Sequence, residues 1–269
     1  MSDPIIVTKQ LLEKTYDAAA SEYDNIWLFR ECGQRLIDLL PINPGESVLD
    51  IATGTGMVLI PAATRVGPQG HVTGIDISAH MLEQAKRSAI ENGLSNIDLL
   101  KMDAEHLKFP DASFDAITCG WAIFLIPPAA IQEMYRVCRP GGSIGVSLGE
   151  GAAPEVGSPG AIFTQLAKDY GMELKFPRPG GFSAEEIEIL LTGFGFNAKK
   201  TLRETKERIY ASVEEYWEAL PPGNRTVLTA MDEEKRDRFK EDYLIRLRSA
   251  MRPDGIHHIV HVLYSIAQK

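Results

Sequence analysis

At 269 residues, 44% of them hydrophobic, the chain can bury one large core without disulfides or structural metal. Its 28 Lys and Arg against 37 Asp and Glu give a net charge of −9, so nucleic acid is not expected as a partner; phosphate-backbone binding relies on clustered cations. Cys32, Cys119 and Cys138 are widely spaced and form no C-x-x-C pair, so neither a zinc site nor a disulfide framework is readable, and a reducing, cytoplasmic setting is expected.

The opening MSDPIIVTKQ lacks a basic stretch followed by an apolar one, so no signal peptide is expected. No run of about 18 apolar residues argues for a membrane span. Residues 8–40 carry apolar positions such as Leu11, Leu12, Leu36 and Leu40 at helical spacing, and PINPG (41–45) ends that pattern. From residue 47 the rhythm becomes strand, loop, helix, repeated. SVLDIA (47–52), HVTGIDI (71–77), IDLLKMD (97–103), FDAITCG (114–120) and SIGVSLG (143–149) read as buried strands. MVLIPAATRVG (57–67), AHMLEQAKRSAIENG (79–93) and IQEMYRVCRPGG (131–142) read as the helices between them.

Beyond residue 150 the pattern loosens. GAAPEVGSPG and FPRPGG are Gly/Pro-rich connections, and SAEEIEILLTGFGF (183–196) is a helix opened by a capping box at Ser183 and Glu186. NAKKTLRETKERI (197–209) reads as a strand, SVEEYWEAL (212–220) and DEEKRDRFKEDYLIRLRSAM (232–251) as helices, and HHIVHVLYSIAQ (257–268) as a final strand. The predicted class is therefore α/β, with a doubly wound, mostly parallel, Rossmann-like sheet of seven strands and right-handed crossovers. The expected division is an N-terminal helical entry segment (1–46), an α/β core (47–210), a helical cap (211–256) and the core's last strand (257–269).

The chemistry concentrates in Asp50-Ile-Ala-Thr-Gly-Thr-Gly56. Glycines after a buried strand permit a sharp turn and expose bare amides to a ligand, and Asp76 is placed to accept hydrogen bonds from a ribose. Nicotinamide dehydrogenases share this geometry. Two details separate the readings: Leu59 stands where their fingerprint has a third glycine, and Asp50 precedes the loop, where it would attract an ammonium and repel a pyrophosphate.

Taken together, VLDIATGTG, GIDIS, Asp103-Ala104-Glu105, FDAITCGWAIFLIP and YRVCRPGG resemble the class I S-adenosylmethionine-dependent methyltransferases, in particular the group that includes ubiquinone- and menaquinone-biosynthesis enzymes. Ala52 replaces the first glycine usual in that group's loop, and YDAAASEYD (16–24) resembles its entry helix. The resemblance implies S-adenosylmethionine as cofactor. Gly54 and Gly56, with Ala52 and Thr53 in the same loop, would surround the methionine moiety, with Asp50 near its ammonium. Asp76 would bind the ribose, Ile77 and Met81 would flank the adenine, and Asp103, with Ala104 and Glu105 alongside, would accept from the adenine amino group. Cys119 and Gly120 would contact the methionine end, Trp121 would sit near the transferred methyl, and Tyr16 and Tyr23 would cover the cofactor. His257, His258 and Glu150 are the candidates for a general base.

Each assignment has a plain structural counterpart: Asp50 as a helix cap, Asp103 as a turn residue, Trp121 and the tyrosines as packing. The expected activity is methyl transfer to an O, N or C nucleophile of a small-molecule acceptor, by a monomer or homodimer. A methyltransferase fold used for a non-methylating reaction such as a cyclisation, and a nicotinamide-dependent oxidoreductase, stay open as alternatives.

Overall fold

The computed structural model describes residues 5–151, 157–172, 174–175, 181–220 and 222–269. Residues 152–156 and 176–180, within the Gly/Pro-rich connections, therefore lie outside the described residues. In chain order the elements begin with β1 (Ile5–Ile6), α1 (Lys9–Ala19) and α2 (Trp27–Leu39). Thr8 caps α1 through a hydrogen bond from the Leu11 amide to its Oγ1 (3.2 Å). The single helical stretch expected over 8–40 is interrupted by a 3-10 turn at Tyr23–Asn25.

The alternating part follows: β2 (Ser47–Ile51), α3 (Leu59–Val66), β3 (His71–Asp76), α4 (Ala79–Glu91), β4 (Ile97–Lys101), β5 (Phe114–Gly120), α5 (Pro128–Val137) and β6 (Cys138–Gly149). β6 starts five residues earlier than its apolar run suggested. The Pro-Gly-Gly stretch enters the strand as an irregularity, since the β5 partner shifts from Cys138 opposite Phe114 to Ser143 opposite Ala116. The remaining elements are α6 (Pro159–Asp169), β7 (Leu174–Lys175), α7 (Ala184–Gly193), β8 (Asn197–Tyr210), α8 (Val213–Glu218), α9 (Pro222–Thr229), α10 (Glu233–Ser249) and β9 (Ile256–Gln268). The capping box at Ser183 and Glu186 forms at the start of α7.

β1 and β7 make a small parallel pair, and the other strands form one seven-stranded sheet in the order β4-β3-β2-β5-β6-β9-β8. All pairings are parallel except those of β9, which runs antiparallel to both neighbours. The chain winds outward through β3 and β4, then returns to the other side of β2 with β5. Such a switch in winding leaves a crevice at the strands' carboxyl ends.

Strand alternation sends neighbouring residues to opposite faces. Leu49, Ile51 and Ile117 join Met134 of α5 and Leu191 of α7 on one side; Val48 and Val72 join Leu36 of α2 and Leu59 of α3 on the other. A third cluster lies away from the sheet. It gathers Tyr216 of α8, Phe239 and Tyr243 of α10, and Phe163 and Leu166 of α6, so the helical segment before β9 has a core of its own that also takes in α6.

Candidate cofactor site and adjoining cleft

The loop after β2 is shaped by left-handed backbone at three residues, Ala52 (φ 52), Gly54 (φ 56) and Gly56 (φ 94). Ala52 shows that an alanine can hold this conformation when neighbours fix it, here through the Thr53 amide donating to the Ile75 carbonyl at 2.9 Å. The missing third glycine is accounted for across the interface. Leu59, opening α3, fits because it faces Gly74 of β3, where an added Cβ would lie 2.5 Å from Leu59 Cδ1. The small residue that lets helix and strand approach has moved from the helix to the strand.

Asp50 is 1% exposed. Its two carboxylate oxygens accept from Thr53 Oγ1 and Thr118 Oγ1, both at 2.6 Å, and burial still pushes its pKa up to about 6. Asp76 accepts from the amides of Gly54 and Ser78, each at 2.9 Å, and burial raises its pKa too. Neither carboxylate has a cationic partner among the described residues. A buried acid and a half-buried one flanking a loop of turned amides are complementary to a ligand that brings its own positive charge and its own hydroxyl donors.

The cavity beside them encloses about 780 Å³, open mouth included, which suits a nucleoside-sized ligand. It is lined by Tyr16, Tyr23, Ala52, Gly54, Asp76, Ile77, Asp103, Ala104, Gly120 and Trp121 among the expected residues. A small adjoining hollow adds Asp50 and Thr53. Gly56, Met81, Glu105 and Cys119 line neither. Gly56 packs against Ala85 of α4, Met81 is buried in α4, Glu105 is ion-paired with Lys9, and Cys119 lies in the core with its thiol pKa raised by burial.

Several lining residues carried no assignment from the sequence. Lys9 Nζ bonds Asp103 Oδ2 at 2.5 Å, and Leu12, Ile75, Met102, Ala122, Leu125, Ile126 and Pro127 complete the wall. Lys9, Glu13 and Asp17 fall four residues apart on α1 and meet Asp103, Lys101 and Ser78 in turn. That i, i+4, i+8 row was legible as one helix face, although its partners were not. Thr118 was also missed, because it meets Asp50 only through the β2–β5 register.

Trp121 has a positive φ of 56°, rare for a bulky residue and held here by its amide donating to the Ser147 carbonyl at 2.7 Å. Tyr16, Tyr23, Phe29 and Trp121 form a continuous aromatic row, with ring centroids 5.1–6.0 Å apart. Trp121 Nε1 is buried and has no hydrogen-bond partner of normal geometry among the described residues.

His257, His258 and Glu150 come together elsewhere, in a second and larger cleft between α6, α10 and the start of β9. His257 bonds Asp254 at 3.0 Å and Glu207 at 2.7 Å, and these carboxylates raise its pKa. His258 packs edge-on to Tyr216, and burial lowers its pKa to about 4. Glu150 accepts from Arg203 Nε at 2.6 Å. The two clefts are neighbours through Trp121, whose ring lies 3.2 Å from where a Cβ on Gly149 would stand, one residue before Glu150.

Residues 48–142 match the family model described as a methyltransferase domain. The chain is 42% identical over 140 residues to aklanonic acid methyltransferase DauC from Streptomyces sp. (strain C5); the match covers 51% of this chain and 64% of that relative, so the chain spans less than two thirds of its length. In fold it is similar to a methyltransferase structure from Bacillus halodurans C-125, at 18% identity and TM-score 0.62, over 89% of this chain and 99% of that one. It is also similar to the [4+2]-cyclase SpnF, at 19% identity and TM-score 0.64, over 99% and 97% of the two chains.

Proposed function

We propose that the protein transfers a methyl group from S-adenosylmethionine to a small-molecule acceptor. The observation that carries this reading is the pair of carboxylates without a cationic partner among the described residues, buried Asp50 and half-buried Asp76, on either side of the left-handed loop. Asp76 would accept from the ribose hydroxyls through its remaining lone pairs. Asp50 would offer negative charge to the ammonium end, and Asp103 would receive the adenine amino group once Lys9 is displaced. When bound, the cofactor supplies a methyl on a positively charged sulfur, so displacement neutralises charge.

The chain's own contribution is to orient and to exclude water. The row from Tyr16 to Trp121 walls the methyl-bearing end with rings, and α1 closes the adenine end through its row of ion pairs. A dedicated base is optional for such a displacement. Of the three sequence candidates, His258 is the one kept neutral by its surroundings, whereas His257 and Glu150 are already engaged with charged partners.

Residues 211–256, with α6, would act as the cap over the acceptor, and a cytoplasmic monomer or homodimer acting on small molecules rather than nucleic acid fits the net charge of −9. No helix among the described residues is long and apolar enough to cross a membrane. Calorimetry should show micromolar binding of S-adenosylmethionine and S-adenosylhomocysteine, on the order of −7 to −8 kcal/mol. Binding of NAD with no heat from either sulfur ligand would overturn the reading. Product mass separates methylation, which adds one methylene, from a cyclisation, which leaves the formula unchanged.

A further inference from the structure

Four polar side chains meet in the layer between α2 and the sheet, beneath the Trp121 end of the cavity. Ser147 of β6 and Tyr264 of β9 stand directly opposite each other in the antiparallel register, so their side chains share a face. Both are fully buried, as is Cys32 of α2. The Cys32 thiol lies beside the Tyr264 hydroxyl and Trp121 Nε1; burial raises its pKa, and those two donors oppose the rise. Ser147 Oγ stands 3.6 Å from where a Cβ on Gly120, the residue before Trp121, would lie. Yet Trp121 Nε1, Ser147 Oγ and Tyr264 Oη are each buried with no hydrogen-bond partner of normal geometry among the described residues.

Leaving one buried hydroxyl or indole N–H unpaired is destabilising, and three in one cluster compound that cost. The groups suit a single water. The indole only donates, each hydroxyl both donates and accepts, and a buried water takes about three such partners. The small hollow on the α2 side of the glycine loop adjoins the cluster, since it is lined by Gly33, next to Cys32, and by Gly120 and Trp121.

Trp121 is the residue that such a water would hold. Its left-handed backbone is fixed by the bond from its amide to the Ser147 carbonyl, and its ring rests on Phe29. A bulky residue keeps this conformation only where its surroundings impose it.

We infer that Trp121 Nε1, Ser147 Oγ and Tyr264 Oη, with Cys32 beside them, bind one buried water, and that Ser147 and Tyr264 are thereby positioning residues that hold the Trp121 ring at the methyl-bearing end. The water site rests on the cluster alone; the positioning role rests on the methyl-transfer reading and deepens it. An aromatic face held at that end attracts the positive sulfur of S-adenosylmethionine and gains less from the neutral sulfur of S-adenosylhomocysteine.

The test begins with the sign of a stability change. Tyr264→Phe deletes only the hydroxyl. The melting temperature should fall by about 2–4 °C, the shift for one lost hydrogen bond in a chain of this size. Deleting a hydroxyl that bonds nothing would leave it unchanged or raise it. Ser147→Ala should lower it similarly, and the double variant should lose less than the sum, because both hydroxyls hold the same water. Calorimetry on Tyr264→Phe should show the preference for S-adenosylmethionine over S-adenosylhomocysteine reduced roughly 2–5-fold, whereas a purely structural loss weakens both ligands alike. A high-resolution crystal structure of the unaltered protein should show one water within hydrogen-bond distance of all three atoms, a readout that stands even if a variant fails to fold. An unchanged or raised melting temperature, strictly additive losses, an unchanged ligand preference or a dry cluster overturns the inference. Failure of both sulfur ligands to bind the unaltered protein would instead overturn the methyl-transfer reading, with the melting and crystallographic results unaffected.

Discussion

The cofactor side and the cleft under the helical segment are built by opposite means. At the ends of β2 and β3, Asp50 is buried and Asp76 half-buried, each is fixed by two hydrogen bonds, and neither has a cationic partner among the described residues. Asp50 is fixed by two threonines, Asp76 by two backbone amides, and the loop between them by left-handed residues. Under α6 and α10 the charged groups are answered by other side chains, most of them exposed, as in Arg203 with Glu150, Arg246 with Asp169 and His257 with Asp254 and Glu207. Buried acids without a protein cation are costly unless a bound ligand neutralises them. Charges that stay hydrated at a cleft can be substituted at little cost.

The sharpest way to break this comparison is to damage the helical segment and ask whether the cofactor side notices. Tyr216 is 2% exposed and packs edge-on against Tyr210 and His258. Tyr216→Ala should destabilise that segment by about 3–5 kcal/mol, as for other large aromatic truncations in a core. Acceptor turnover should collapse, while S-adenosylhomocysteine affinity stays within roughly 3-fold, since the two cores are separate clusters. A parallel loss of cofactor affinity in a protein that still melts cooperatively would mean that the two regions are one unit.

Next in size is Asp76→Ala, which removes the acceptor proposed for the ribose hydroxyls. Calorimetry should show S-adenosylhomocysteine binding weakened by about 2–4 kcal/mol with circular dichroism unchanged. Unchanged affinity would reduce Asp76 to a strand-end residue that only organises Gly54 and Ser78.

A smaller effect follows from Asp50. Its folded pKa of about 6 stands above the ordinary value of 3.8, so the folded, ligand-free chain holds this proton more tightly than the unfolded one. The group's contribution therefore favours the fold at low pH and is lost as pH rises from about 4 to 6. Binding of an ammonium has the opposite slope, because it needs the ionised form. S-adenosylhomocysteine affinity should rise about 10-fold from pH 5 to pH 7 and then level off, and Asp50→Asn should flatten this dependence. A flat wild-type profile would remove Asp50 from the ammonium site.

The smallest effect belongs to Lys9, which bridges Asp103 and Glu105 from a half-exposed position. Ion pairs of this kind contribute under about 1 kcal/mol, so Lys9→Ala should tighten cofactor binding by no more than roughly 5-fold as it frees Asp103. Weaker binding would show that Lys9 serves the bound state as part of the closed lid.

What the sequence determined by itself was whatever depends on local spacing. The apolar runs at 47–52, 71–77, 97–103 and 114–120 marked parallel strands because both faces are buried, and Ser183 with Glu186 marked a helix start because the capping bonds span three residues. Asp50, the glycine loop and Asp76 were legible for the same reason: the turn, the strand ends and the acids have a fixed chain separation. The tertiary structure alone decided what lies across an interface. Thr118 reaches Asp50 through strand register, Gly74 makes room for Leu59 from a different strand, and Lys9 meets Asp103 across 94 residues. The same holds for His257, His258 and Glu150. Each was visible as a titratable side chain, but their gathering under α6 and α10, beside three arginines, depends on how β9 returns antiparallel along β6. Periodicity encodes which face of an element is buried; it carries no information on which distant face will cover it.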